Sequence, residues 1–330
     1  MKNSTRRVRR IVALTGAAII AASGLAACAG DGGSGGGGGS ADGTVTVVTL
    51  PAAFSAPVWL GVEQGFFEDE GLTVKTTMVP NAAAGVPLLS SGQAQFGFGN
   101  IIPFVLARTN GVPLSFVAGS TATVATDGDD TDCAASKTGG SINTAADLEG
   151  GSIAVPALKA APELVVRAWL KAAGADGDKI DFVQLAPDAA LQAIDKGDID
   201  ASYLFEPWCT MAAAQGYHIF DYPASKAVPG LPDGTVAATE DYLSKNPEQA
   251  AAFQRAFKKS VEYTKAHPDE ARAIVGEELD VPADVLADLH LGDWTPDVTA
   301  GNVDQAAALL MDFGWIDEAP NADDMIFSGS

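Results

Sequence analysis

From Thr44 onward, short β-branched runs alternate with amphipathic stretches, and this alternation limits more than any other feature what the 330-residue chain can become. A strand, a helix and a further strand in succession build a parallel sheet covered by helices. Residues 45–50, 73–79, 95–99 and 114–118 read as strands. Between them lie helices at 57–64 and 82–90, and a third that Asn100 caps and that runs to about Arg108, with Pro103 tolerated in its first turn. A polar, glycine-rich stretch, 127–141, then breaks the rhythm and reads as an inter-domain crossover or exposed loop. A second series follows, with strands at 152–155, 181–185, 201–205 and 218–220 and helices at 162–172, 188–194 and 208–215. Ser91-Gly92-Gln93-Ala94-Gln95-Phe96 in the first series echoes Lys196-Gly197-Asp198-Ile199-Asp200-Ala201 in the second. Each places glycine where a helix ends in the left-handed conformation before the next strand. The echo suggests two similar α/β lobes. The last third is helical. Asn246-Pro247-Glu248-Gln249 has a capping side chain, proline at the first helical position and Gln249 placed to close a capping box. Phe253, Phe257, Val261 and Thr264 then recur near helical spacing and predict one apolar face, and further helices are expected at 270–278, 283–289 and 303–313.

Ahead of the body, Lys2, Arg6, Arg7, Arg9 and Arg10 precede an uninterrupted run of apolar and small residues, 11–23, followed by Leu25-Ala26-Ala27-Cys28. This is the order of a secretory signal peptide, and the run is shorter than the roughly 20 apolar residues that span a bilayer. The segment resembles a bacterial lipobox, which implies removal of residues 1–27 and lipidation of Cys28. Residues 28–43 then form a glycine-rich flexible linker. The expected product lies outside the cytoplasm and meets the membrane only through its lipid. Residues 1–27 hold five basic and no acidic side chains, so their loss leaves 15 basic against 42 acidic, a formal charge of −27. So acidic a body repels phosphate backbones, which argues against a nucleic-acid partner, and it is repelled by anionic lipid surfaces. The two other cysteines, Cys133 and Cys209, are permitted to pair in an oxidising exterior, but sequence separation says nothing about their distance. A disulfide and two buried thiols both remain open.

Several segments in order resemble a known family. Gly65-Phe66-Phe67-Glu68-Asp69-Glu70-Gly71-Leu72-Thr73-Val74 is similar to the segment after the first helix in the nitrate, sulfonate, taurine and pyrimidine-precursor solute-binding proteins of ABC importers. Ser91-Gly92-Gln93-Ala94, Asn110-Gly111-Val112-Pro113-Leu114, Asp147-Leu148-Glu149-Gly150, Lys196-Gly197-Asp198-Ile199-Asp200-Ala201 and Glu206-Pro207 follow in the same order. The resemblance covers Val45 to about Phe313, and its specificity lies in the ordered set. It departs at Gln95, where the family usually has aspartate; the amide keeps hydrogen-bonding capacity and loses a charge. The resemblance implies a periplasmic-binding-protein-like type II fold, α/β, with two lobes joined by a hinge, lobe 1 from 44–126 and 235–330 and lobe 2 from 127–234 with the crossover, closing on a small molecule, and delivery to permease subunits by a monomer without cofactor or metal. It also implies an organic anion of the sulfonate, taurine, nitrate or carboxylate kind, with a neutral heteroaromatic such as a pyrimidine precursor as the alternative.

Ligands of open parallel sheets bind beyond the carboxyl ends of the strands. That rule nominates Phe54, Ser55 and Trp59, Asn81, Asn100 with Ile101, and Ser120 with Thr121 in the first lobe, and Lys159, Ala160, Glu206 and Trp208 in the second. Lys159 stands between a strand and a helix start, where free amides and the helix dipole attract anions, so it is expected to face an anionic ligand. Arg108 has a weaker case at the far end of its helix, and Glu206 is expected to cap or pair. Phe54, Trp59, Phe104, Tyr203 and Trp208 are candidates for apolar walls, with at most two of the five expected to touch ligand. Enzymatic readings find little. His218, His267 and His290 are far apart, there is no H-E-x-x-H, C-x-x-C or G-x-S-x-G motif, and Asp127, Asp129, Asp130 and Asp132 lack the order of a calcium loop. Pyrimidine-precursor synthases resemble the same family, but the cysteine-rich motif and histidine on which they depend are missing. The expectation is a binder, not an enzyme.

Overall fold

The computed structural model describes residues 43–124 and 130–329, so the expected signal peptide, Cys28 and most of the linker lie outside the described residues, as do Asp127 and Asp129. β1 (Thr44–Thr49) leads through α1 (Ala56–Glu63) and the short α2 (Phe66–Asp69) to β2 (Thr73–Met78). α3 (Ala82–Ser90), β3 (Phe96–Gly99), α4 (Ile101–Thr109) and β4 (Leu114–Ala122) complete a first series. The second comprises β5 (Asp132–Ser136), β6 (Ser152–Val155), α5 (Ala161–Ala172), β7 (Asp181–Gln184), α6 (Pro187–Lys196), β8 (Ala201–Phe205), α7 (Trp208–Ala214), β9 (His218–Asp221) and α8 (Pro223–Ala227). β10 (Pro232–Thr239) returns the chain to the first sheet, and α9 (Glu240–Lys245), α10 (Pro247–Ala266), α11 (Pro268–Leu279), β11 (Asp293–Trp294) and α12 (Ala300–Asp312) finish it.

Two sheets result, with orders β11-β4-β10-β3-β1-β2 and β7-β6-β8-β5-β9. The βα units pair in parallel, as β1 does with β2 and β3, and β6 with β7 and β8. The two strands that carry the chain from one sheet into the other are different: β5 and β10 are antiparallel to their neighbours. An antiparallel strand begins where its neighbours end, so Asp132 sits opposite Phe205 at the end of β8 and Pro232 opposite Ala122 at the end of β4. Both crossing strands therefore start at the ligand edge of their sheets. Of the two readings of 127–141, only the exposed loop is corrected here, because residues 132–136 form a wholly buried strand; its small side chains carry no β-branched signal and only burial between β8 and β9 makes it one.

One core cluster joins residues of both sheets, including Val48, Ile101 and Phe116 with Ile153, Leu164 and Trp169. A second packs the far face of the first sheet against α1, α10 and α11. There Phe96 stacks on Phe253 at 3.7 Å, and the expected apolar face of α10, with Phe253, Phe257, Val261 and Thr264, is fully buried. Gly92 and Gly197, at the two matching corners, have φ of 74° and 77°, the left-handed conformation that favours glycine. Gln95 braces the start of β3 by accepting from the Thr46 amide at 2.8 Å and donating to the Gly92 carbonyl at 3.1 Å.

Two C-terminal expectations are corrected. The capping box at Asn246 does not form, because α9 runs directly into α10; Asn246 Nδ2 instead donates to the Tyr242 carbonyl, and Gln249 accepts from the Tyr242 hydroxyl. The helix expected at 283–289 is only a 3-10 turn, Leu286–Asp288. So short a segment cannot offset helix nucleation. Leu286 packs so tightly over Gly276 that a Cβ there would lie 2.8 Å from it.

Candidate ligand-binding cleft

Where the carboxyl ends of both sheets meet, a partly open cavity of about 90 Å3 lies between the lobes. That is room for roughly six to nine waters, or a ligand with a comparable number of heavy atoms. Its lining draws on the β1 end (Leu50, Ala52), the starts of α3, α4 and α5, the ends of β8 and the starts of β5 and β10. Helix starts converge because each follows a strand that ends at this edge. Asn81 caps α3 by accepting from Ala84 N–H at 3.1 Å, and Asn100 caps α4 by accepting from Ile102 N–H at 2.9 Å. In each case the side-chain carbonyl serves the cap and the NH2 remains a donor. Gly99 permits the approach, since a Cβ on it would come within 2.4 Å of the Ala82 Cβ at the start of α3.

Of the residues nominated from sequence, Phe54, Asn81, Asn100 and Ala160 line this cavity, and so does Tyr203 from the aromatic candidates. The others are elsewhere. Ser55 is buried and exchanges hydrogen bonds with the backbone of Leu50, which closes the turn after β1. Trp59, Ile101 and Phe104 belong to the cores. Ser120 donates to the Phe54 carbonyl at 3.4 Å, Thr121 is buried beside Asp233, and Trp208 packs on the cluster around Cys133 and Cys209. Those two cysteines form a disulfide that ties β5 to α7. Arg108, at the far end of α4, pairs with Glu240.

Lys159 corrects the expectation of a cation in the cleft. Its backbone has φ of 50°, its side chain is exposed, and it lines a separate open recess with Arg167 and Trp315. The anion at the start of α5 is the protein's own Glu163, which accepts the Lys159 amide at 2.7 Å and pairs with Arg167 at 2.7 Å. Glu206 is buried and caps α7, accepting from the Thr210 hydroxyl at 2.7 Å and amide at 3.2 Å. Burial pushes its carboxyl up to about 7. Its carbonyl accepts from Ala53 N–H at 2.9 Å, a bond from one lobe to the other.

Sequence reasoning missed the polar heart of the cavity. Among the described residues, the lining holds two acids, Asp132 and Asp233, and no lysine, arginine or histidine. They come from different sheets, Asp132 opening β5 and Asp233 lying second in β10. Asp132 Oδ2 accepts from Ala224 N–H at 3.0 Å and the carboxyl also meets the Tyr203 hydroxyl. Burial, with Asp130 and Asp233 adding repulsion, pushes Asp132 up to about 8. Asp233 is raised too, chiefly by burial; its Oδ2 accepts from the Thr131 hydroxyl at 3.2 Å. Its Oδ1 is buried with no partner at hydrogen-bond geometry, while the nearby Thr121 hydroxyl and the backbone amides of Asp233 and Gly234 only moderate the rise. Tyr203 is raised by the same burial and by the carboxyls. The only signal for either acid was faint: a polar residue opening a short run, Asp132-Cys133-Ala134-Ala135 and Asp233-Gly234-Thr235-Val236.

The chain shares this architecture with known binding proteins. It superposes on the periplasmic aliphatic sulphonate binding protein SsuA from Escherichia coli with a TM-score of 0.71 at 18% identity, covering 86% of this chain and 97% of that one. The desulfurization enzyme DSZB has the same fold, with a TM-score of 0.65 at 15% identity over 86% and 96% of the two chains. By sequence, a taurine-binding periplasmic protein of Escherichia coli is 28% identical over 229 residues, 68% of each chain. A formylaminopyrimidine-binding protein of Halalkalibacterium halodurans is 24% identical over 225 residues, 67% of this chain and 66% of the relative. The chain thus spans about two thirds of the length of these relatives. Residues 53–271 match the family described as NMT1/THI5 like, which is well over half of the chain and carries every strand of the second sheet, and the chain belongs to that family.

Proposed function

We propose that this protein is the extracytoplasmic solute-binding component of an ABC importer, which captures a small organic molecule by lobe closure, does not alter it, and presents it to permease subunits. The observation that carries this reading is the cavity lined from both sheets at the carboxyl ends of their strands, because only a ligand touching both lobes favours the closed state over the open one. The relatives named as binding taurine and formylaminopyrimidine support it. An organic anion of the sulfonate, taurine, nitrate or carboxylate kind suits the starts of α3 and α4, whose amides and asparagine NH2 groups face this edge. A heteroaromatic suits the rings of Phe54, Tyr203 and Phe205 in the lining. The protein acts as a monomer, tethered through lipid on Cys28; mass spectrometry of the membrane-associated form checks the tether by showing a diacylglyceryl adduct on a chain that begins at Cys28.

A melting screen across small solutes tests the reading. A ligand at 100 times its dissociation constant adds about 2.7 kcal/mol to stability. A stabilising compound recovered unchanged supports the binder, and turnover of that compound overturns it in favour of an enzyme, the role in which DSZB uses the same fold.

A further inference from the structure

We infer that the ligand carries a basic nitrogen, an ammonium or a ring amine, which binds between the carboxyls of Asp132 and Asp233 beside the Tyr203 hydroxyl. The inference rests on the solute-binding reading and specifies the chemistry of that site. Asp132 belongs to one sheet and Asp233 to the other, and the Thr131 hydroxyl beside Asp132 donates to Asp233, so the two crossing strands hold both acids in one cavity. Among the described residues, no basic side chain lines that space. The other ionisable groups near the pair are Asp130, which adds negative charge, and the Tyr203 phenol. A buried acid group without a donor costs free energy, and Asp233 Oδ1 is such an atom. A nitrogen with two or more N–H groups answers each of these facts. It donates to both carboxyls, supplies the missing partner of Asp233 and replaces acid–acid repulsion with attraction across the lobes. Protein dipoles at the starts of α3 and α4 are left for whatever oxyanion the same molecule bears, which describes a small zwitterion as well as an amino-substituted heterocycle.

The competing use of the same groups is opposite in sign. A protonated Asp132 would donate to a ligand oxyanion, and binding would tighten as pH falls. With an ammonium, which keeps its proton over this range, binding requires the ionised form and tightens as pH rises through 7 and 8.

The test uses the purified full chain, calorimetry, and compound pairs that differ only in the amine: 2-aminoethanesulfonate against ethanesulfonate, and 4-aminopyrimidine against pyrimidine. The expected result is at least tenfold tighter binding of an amine-bearing member, with affinity for 2-aminoethanesulfonate rising between pH 6 and pH 8, and affinity falling at least tenfold in Asp132→Asn and Asp233→Asn. The pair comparison is made on the unsubstituted chain, so it stands even where a variant folds poorly. Clear binding that is equal within each pair, that prefers the amine-free member, or, for 2-aminoethanesulfonate, that tightens at low pH overturns the basic-nitrogen inference and leaves the solute-binding reading intact. Failure of every member of these pairs and of a wider solute panel to bind overturns both.

Discussion

Two acidic places flank the cleft and are treated in opposite ways. At the start of α5, Glu163 is almost fully buried yet has the Lys159 amide and the Arg167 guanidinium as donors, and Arg167 also lies 4.3 Å over the Phe182 ring. At the starts of β5 and β10, Asp132 and Asp233 are enclosed with neutral donors and each other. The first arrangement is finished within the protein and stabilises a helix start. The second is left incomplete, at the one place both lobes reach. Buried charge that the fold already compensates is structural; buried charge that it does not is where a ligand has something to contribute.

The largest expected effect breaks that comparison by pH. The Asp132 carboxyl is raised from 3.8 to about 8 and that of Glu206 from 4.5 to about 7, both chiefly by burial. A raised carboxyl binds its proton more tightly in the folded than in the unfolded chain. Its contribution is therefore complete below the unfolded value and is lost as pH rises through the folded one. The ligand-free protein should lose stability, on the order of a few kcal/mol, between pH 4 and pH 8. Denaturation at those two pH values measures it, and Asp132→Asn should flatten the profile; an unchanged slope would show that Asp132 does not titrate in this range.

Next in size, Glu163→Ala should cost about 2 kcal/mol, the worth of hydrogen bonds to a charged group, and should leave ligand affinity within a few-fold of the original. A large affinity loss there would erase the distinction between the two places. Lys159→Gly should stabilise by up to about 1 kcal/mol, because glycine accepts the φ of 50° that strains lysine. Lys159→Ala should leave affinity unchanged by calorimetry. The smallest effect belongs to the ion pair between Lys171 on α5 and Asp312 on α12, which joins the lobes at 2.6 Å but is half exposed on both sides. Lys171→Ala should weaken ligand binding by about twofold, the worth of a screened surface pair of about 0.5 kcal/mol.

Much of the fold was legible because its signals are local. The strands from Val45, Thr73 and Ala201, the caps at Asn81 and Asn100 and the glycine corners at Gly92 and Gly197 each depend on neighbours a few residues away. The ligand edge was legible as well, since parallel strands put their loops there, and Phe54, Asn81, Asn100 and Ala160 reach the cavity accordingly. The crossing strands were not. β5 is a run of small residues that only its neighbours make a strand, and without β5 and β10 neither Asp132 nor Asp233 has an address at the site. Lys159 failed for the converse reason: its position at a helix start was visible, while the occupation of that start by Glu163 depends on side-chain geometry.

Sequence alone thus determined the α/β rhythm, the two series of units and the family likeness, because hydrogen-bonded turns, caps and periodic apolar faces are settled over a turn of helix or a few strand residues. Tertiary structure decided which way the crossing strands run, that Cys133 meets Cys209 across 76 residues, and that two acids 101 positions apart share one cavity in which, among the described residues, no base stands. Those outcomes turn on burial and charge, which depend on what the whole chain brings to a point and not on which residues stand beside it in the sequence.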